Sequence, residues 1–254
     1  MGSGDGGKRV GSVERAFAVI DVVREEGTVR IDDVASALDV PTSTAHVYLK
    51  TLESVGYVVT GPEGYRLSLR FLRDGSTVRE GTTVYALARP EVDDLAEETG
   101  EVANLGVEED GRRVILYQAE GSEAVYDNAP IGEYTEMHWT ALGKSILAHL
   151  PDERVDEIVD RFGLPERTDD TITGRDALDE ELSRIRDRGY ALEDEERREG
   201  IRSVAVPVVV EEGVLGALSV SGPKERLDDR RIDEAVVPAL RNAANVVEVK
   251  YAYE

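Results

Sequence analysis

The chain has 254 residues, 41% of them hydrophobic, and a formal net charge of -23, enough length for two domains at ~100 to 200 residues each. It contains no cysteine, which excludes disulfides, thiolate metal sites and a cysteine nucleophile, and it has no apolar run near the ~18 residues that a membrane span needs. The acid is unevenly spread: residues 1–80 hold 10 Lys and Arg against 12 Asp and Glu, while residues 81–254 hold 20 against 41. A nearly neutral first part keeps phosphate contact open to it, because DNA binding rests on Lys and Arg. The acidic remainder, with five lysines in the whole chain and 6% aromatic residues, is the composition of a protein kept soluble in concentrated salt, where self-repulsion is screened. Its carboxylates are spread over predicted helices, which argues against an acidic partner-binding tail. Residues 1–11 are Gly-rich, carry Lys8 and Arg9 and lack an apolar h-region, so they read as a flexible tail on an unexported, cytoplasmic chain.

Ser12 is placed to cap a helix over residues 13–26, with Val13, Ala16, Phe17, Val19, Ile20 and Val23 as its apolar stripe. A short β-prone piece at residues 28–31 follows. Asp32 or Asp33 then starts a second helix that turns Val34, Ala35 and Leu38 inward. Asp39, Val40 and Pro41 make a tight turn into a third helix over residues 42–54. There Ala45, Tyr48, Leu49, Leu52 and Val55 point to a core, and Thr42, Ser43, His46, Val47 and Lys50 occupy the other face. Strands at residues 56–60 and 65–69, joined by Gly61, Pro62, Glu63 and Gly64, complete a helix-turn-helix followed by a hairpin. The second helix of such a unit enters the major groove and the hairpin touches the flanking backbone. Thr42, Ser43, Thr44, His46, Val47 and Lys50 are therefore the candidate base readers, with Arg66, Arg70 and Arg73 as phosphate contacts. Units of this size also serve as packing or dimerisation modules, and the pattern by itself admits both.

Residues 72–81 show no period and read as a linker, and a helix over residues 82–99 contains Pro90 as a kink or restart. Strands at residues 101–108 and 112–118 are joined by Glu109, Asp110 and Gly111. Helices are expected over residues 141–150, 152–162 and from a Thr173/Asp176 capping box onward. Strands at residues 190–192, 203–210 and 214–221 and a terminal helix over residues 229–250 follow. Antiparallel hairpins interleaved with helices make this an α+β domain.

VERAFAVIDVV, IDDVASALDVPTSTAHVYLKTLESVGYV and GYRLSLR resemble the winged-helix domain of the IclR (isocitrate lyase regulator) family of transcription factors. ARPEVDDLAEETGEVANLGV, HWTALGKSILAHLP, RDRGYALEDEERREGIRSVAVPV and LGALSVSGP are similar, in order, to the blocks of its effector-binding domain. The resemblance implies a winged helix-turn-helix over residues 12–73, a linker and connecting helix over 74–99, and a GAF-like effector-binding sensor over 100–254. It also implies dimers, often paired into tetramers, on a pseudo-palindromic operator. One departure stands out: these recognition helices usually carry arginine three residues after the Ser-Thr pair, where this chain has Val47. Bidentate guanine readout is lost there, so the half-site is expected to differ from those of typical relatives, apolar contact with a thymine methyl being one way.

His138, Trp139 and Thr140 lead into small residues at a helix start, whose unpaired N–H groups suit an anion. The resemblance places the backbone amides of Ala141 and Leu142 on an effector carboxylate and brings Glu193, Asp194, Ser203, Ser219 and Ser221 into the pocket wall. Amides for an anion, serines for either role and a carboxylate for a hydroxyl together fit a hydroxylated organic acid or sugar-derived metabolite. Ser219 and Ser221 share one strand face, which is equally a turn entry before Gly222 and Pro223. Three histidines without metal-ligand spacing, no phosphate loop and no nucleophile elbow argue against an enzyme, and no cofactor is expected. The run Glu193 to Glu196 reads as solvated surface. The remaining alternative is a constitutive DNA-binding protein whose second domain only oligomerises.

Overall fold

A computed structural model describes residues 9–125 and 130–253; the first eight residues of the expected tail lie outside them. Contacts divide the chain into two units, one ending at Val78 and the other beginning at Arg79.

The first unit runs α1 (Gly11–Glu26), β1 (Thr28–Val29), α2 (Ile31–Ala37), α3 (Thr42–Ser54), β2 (Val58–Gly61) and β3 (Gly64–Leu67). Strand β3 pairs antiparallel with both β1 and β2, giving a three-stranded wing. Its tightness depends on Gly64, at φ 144, where a Cβ would meet the Val29 carbonyl oxygen at 2.3 Å. The core gathers Val19, Val23, Val34, Ala45, Leu49, Leu52, Val58 and Tyr65. It departs from the expected stripes at three points. Helix α1 starts at Gly11 without a side-chain cap, so Ser12 does not cap it. Val13 and Phe17 are exposed, at 52% and 61%, because at ~100° per residue Phe17 stands ~120° round the helix from Val23. Val55 is 47% exposed since it follows the last residue of α3. At the start of α2 Asp33 works from within the helix, its Oδ2 accepting the Arg30 N–H at 2.7 Å.

The expected linker is helical. Helix α4 (Arg70–Glu80) spans the boundary between the units and buries none of its residues. Its middle, Asp74, Gly75, Ser76 and Thr77, is made of weak helix formers, so propensity does not announce it.

The second unit continues with α5 (Thr83–Thr99), which runs through Pro90 as one element, then β4 (Val102–Glu109), β5 (Arg112–Glu120), β6 (Tyr134–Thr135), α6 (Ala141–Leu147), α7 (Asp152–Phe162) and α8 (Arg175–Arg188). Strands β7 (Ala191–Asp194), β8 (Ile201–Val210) and β9 (Gly213–Pro223) and a broken terminal helix follow. That last helix comprises α9 (Asp229–Arg231), a π turn (Ile232–Val236) and α10 (Val237–Ala252). The π turn lies just ahead of Pro238, whose missing N–H and ring disturb the i to i−4 ladder. Helix α8 is preceded by Gly174 with no side-chain cap, so the Thr173/Asp176 capping box does not form.

Six antiparallel strands lie in the order β6-β5-β4-β9-β8-β7. Alternation along the strands sorts the residues onto two faces. Ala103, Leu105, Val204, Val206, Leu218 and Val220 pack with α5 and α10. Ala191, Ala205 and Ala217 pack with α6, α7 and α8 on the other face. Small residues on that second face let α6 lie close: a Cβ on Gly106 would stand 2.9 Å from the Leu142 Cδ1, and one on Gly143 would stand 2.2 Å from the Met137 carbonyl oxygen. No described helix is long and apolar enough to cross a membrane.

Candidate DNA-reading helix and ligand cavity

In α3 the buried Ala45, Leu49 and Leu52 fix one side of the helix against α1, α2 and the wing. Thr42, Ser43, His46, Val47 and Lys50 are exposed on the other side, and Thr44 is half-buried. Val47 is 62% exposed in the middle of this surface, an apolar side chain facing out among hydroxyls. Lys50 Nζ stands 2.8 Å from the Glu53 carboxylate, which raises the Lys50 pKa and lowers that of Glu53. Thr60, on β2, donates to the same carboxylate at 2.5 Å, so the ion pair ties the end of α3 to the wing. Arg66 is exposed on β3. Arg70 is exposed and lies along the surface, donating to the Val55 carbonyl at 2.6 Å with its guanidinium 4.7 Å from the Tyr57 ring centre.

On the α6 face of the large sheet lies a cavity of about 340 Å³, counting its mouth. Its floor is written in the strand register. Glu193 pairs with Ser203 and Ser203 with Ser221, placing one residue of each of β7, β8 and β9 in a row. In the next row Ser219 pairs with Asn104 of β4. Helix α6 covers these rows with its first turn. Thr140 caps it by accepting the Gly143 N–H at 3.0 Å, and the Thr140 carbonyl accepts from Lys144. The amides of Ala141 and Leu142, being in the first turn, have no acceptor within the helix, and both residues line the cavity.

Of the seven residues expected in the wall, the structure therefore brings together Ala141, Leu142, Glu193, Ser203, Ser219 and Ser221. Asp194 is the exception. As the neighbour of Glu193 on a strand it faces the opposite side, where it meets Arg202 and Lys224, each at 2.9 Å. The carboxylate run is also not solvated: Glu193 is 1% and Glu196 8% exposed, because the segment folds back under Lys144, which pairs with Glu196. Burial pushes the Glu193 carboxyl up to about 7, against the opposing charge and backbone N–H of Arg197.

Sequence reasoning missed Asn104, Arg113, Ile115 and Arg197 in the wall. Arg113 was legible only as the flank of a hairpin, yet it is 2% exposed. The signal for it is parity: it stands two residues before Ile115 and opposite Glu108, which shares the face of Gly106 and Asn104. The other two histidines serve the scaffold. His138 Nε2 lies 3.0 Å from the Pro165 carbonyl, with burial lowering its pKa, and His149 Nδ1 lies 2.9 Å from the Ser145 carbonyl. Among the described residues no cluster has the composition of a metal site.

Residues 12–62 match the IclR helix-turn-helix domain, and residues 77–249 match the family described as bacterial transcriptional regulator IclR, C-terminal. The chain is 36% identical over 248 residues to a Halobacterium salinarum protein named "probable HTH-type transcriptional regulator ArcR", covering 96% of this chain and 94% of that one. The crystal structure of the Thermotoga maritima IclR superposes with a TM-score of 0.82 at 28% identity, covering 95% of this chain and 99% of the other. An IclR homologue from Microbacterium hydrocarbonoxydans, solved in complex with 4-hydroxybenzoate, superposes with a TM-score of 0.79 at 26% identity, covering 95% and 98%. With both domains matched in order along nearly its whole length, the chain belongs to the IclR family of transcriptional regulators.

Proposed function

We propose that this regulator works as a homo-oligomer in a saline cytoplasm, reads a pseudo-palindromic operator through Thr42, Ser43, Thr44, His46, Val47 and Lys50 with Arg66 on the backbone, and changes its operator occupancy when its second unit binds a small organic acid. The observation that carries the reading is the cavity under α6. Six residues drawn from α6, β7, β8 and β9 converge on one largely polar wall, which a domain serving oligomerisation alone has no need to build. Serine hydroxyls accept and donate, and the α6 amides favour an anion. In the homologue bound to 4-hydroxybenzoate, the ligand is likewise a hydroxylated acid. For the oligomer to act as a switch, the acid must bind its two arrangements with different affinity.

Fluorescence anisotropy on the protein's own promoter and on random duplex, in molar KCl with and without a panel of organic acids, tests both halves. Preference for the promoter, altered by at least one acid, is the expected result. Promoter preference that no acid alters, together with no acid raising the melting temperature, returns the constitutive reading. Absence of promoter preference removes the regulator reading altogether.

A further inference from the structure

Among the residues that line the cavity, Glu193 is the only acid. It is 1% exposed, and the strand register sets it beside Ser203 and, one strand further, Ser221. The charged groups that face it come from three elements. Arg197 and Glu196 stand in the loop after β7, Lys144 in α6, and Arg113 across the sheet on β5. Their charge is matched within the protein: Lys144 lies between Glu196 and Glu181, and Arg113 contacts Glu133. An organic acid in this cavity brings a second carboxylate to the first, and two carboxylates that share a site do not both ionise freely; one is driven to hold a proton. Burial already raises the Glu193 pKa to about 7, so a small further push decides its state at neutral pH.

We propose that the cavity takes its organic acid together with a proton from solvent, which settles on Glu193 and lets that side chain donate a hydrogen bond to the ligand. The inference rests on the ligand-binding reading above and adds the charge balance of the same site. The ligand enters as an anion, the proton as a cation, and the wall gains no net charge. Ionised, Glu193 offers only acceptors to a ligand carboxylate that also only accepts; neutral, it presents an O–H. Ser203 and Ser221 spend one O–H on each other, at 2.5 Å, which leaves that row with fewer donors of its own. Below pH 7 the free chain already holds the proton, and the acid binds without uptake. Above it the proton must be drawn from solvent, so affinity falls as pH rises.

Isothermal titration of the full chain in constant high KCl tests this, using acetate, lactate, butanoate, glycerate and benzoate and any acid that alters promoter binding. Each binder is titrated at pH 6, 7 and 8, and at pH 8 in both Hepes and Tris, whose protons leave with different heats. Binding is expected to weaken about fivefold to tenfold between pH 6 and 8, and the difference in heat between the buffers to report ~0.4 to 0.9 proton taken up per site at pH 8. Glu193→Gln keeps an N–H donor and does not titrate, so it is expected to bind the acid equally at pH 6 and 8 and with the same heat in both buffers once the buffers' own contribution is removed. Should that variant misfold, as read by circular dichroism, difference infrared spectra of the parent at pH 8 take its place: a protonated-carboxyl band is expected to appear when the acid is added. Affinity indifferent to pH with no proton uptake, absence of that band, or a folded Glu193→Gln that still takes up the proton overturns the inference while ligand binding itself survives. If no acid binds, here or in the promoter assay, the inference falls together with the reading beneath it.

Discussion

Replacing Glu193 with Gln isolates the energetic cost of a carboxyl enclosed in the cavity wall. Burial is the largest cause of its raised pKa of about 7, from a reference of 4.5. The sign follows from proton counting. Below pH 4.5 the group is protonated in the folded and unfolded chains alike, and it costs nothing. Between 4.5 and 7 the unfolded chain gives up its proton first, so the folded chain holds more protons and stability falls as pH rises. Above 7 the cost is complete, about 3 kcal/mol for the rise from 4.5 to about 7. Gln retains an oxygen for the Arg197 N–H, which Glu193 Oε1 accepts at 3.2 Å, and it does not titrate. The variant is therefore expected to match the parent near pH 4.5 and to exceed it by about 3 kcal/mol at pH 8. Urea denaturation of both proteins at pH 4.5, 6, 7 and 8 in fixed KCl reads this difference directly. Glu196, which burial also raises, is common to both and cancels to first order. A difference that stays flat across the series would refute the assignment of the cost to an ionised, desolvated Glu193.

Other perturbations report on the remaining parts. Val47→Arg places a guanidinium at a position that is 62% exposed; its melting temperature is expected to stay near that of the parent, while preference moves toward a half-site with guanine at the facing base pair by ~1 to 3 kcal/mol, measured by anisotropy on operator variants. Lys144 is 1% exposed between Glu196 and Glu181, so Lys144→Met is expected to cost ~3 to 5 kcal/mol by stranding buried carboxylates. Adding Glu196→Gln should recover part of that loss in urea denaturation, and failure to recover any would contradict the pairing. Lys50 is paired with Glu53, and residues 1–80 hold 12 acids against 10 bases, so the protein's own carboxylates compete with phosphate for its cations. The log–log salt dependence of operator binding should then be shallow, with a slope smaller in magnitude than about 5; the slope expected for six or more phosphates would refute it.

What the sequence made legible follows from how local each signal is. The α3 surface was readable because Ala45, Leu49 and Leu52 repeat at helical spacing, which leaves Thr42, Ser43, His46 and Lys50 on the other side by geometry alone. The β4–β5 turn was readable from Asp110 and Gly111, both of which adopt positive φ. Helix α4 was not, because Asp74, Gly75, Ser76 and Thr77 at its centre are weak helix formers and none of its residues is fully buried. The buried charges were the hardest. Glu193, Glu196 and Arg197 stand in a run of charged residues that looks solvated, and only the fold-back over β8 and under Lys144 encloses two of them. Asp194 misled for the opposite reason: adjacent acids in a strand cannot share a face, and the register decides which one points to α6.

The same alternation explains how one sheet connects two chemistries. Asn104 faces the cavity, while Ala103 and Leu105 on either side of it pack in the core with Val84, Leu87 and Val92 of α5. Ser219 likewise lies between Leu218 and Val220, which pack in that core with Leu240 and Val247 of α10. Strands this densely packed on both sides do not deform on one face alone. Under the proposed ligand reading, an acid that drew Asn104 and Ser219 toward α6 would shift the strands on which α5 rests, and α5 follows α4 in the chain. The polar residues of β4 and β9 and the apolar residues between them thus lie on two sides of the same strands, the arrangement that a coupling between the cavity and α5 would require.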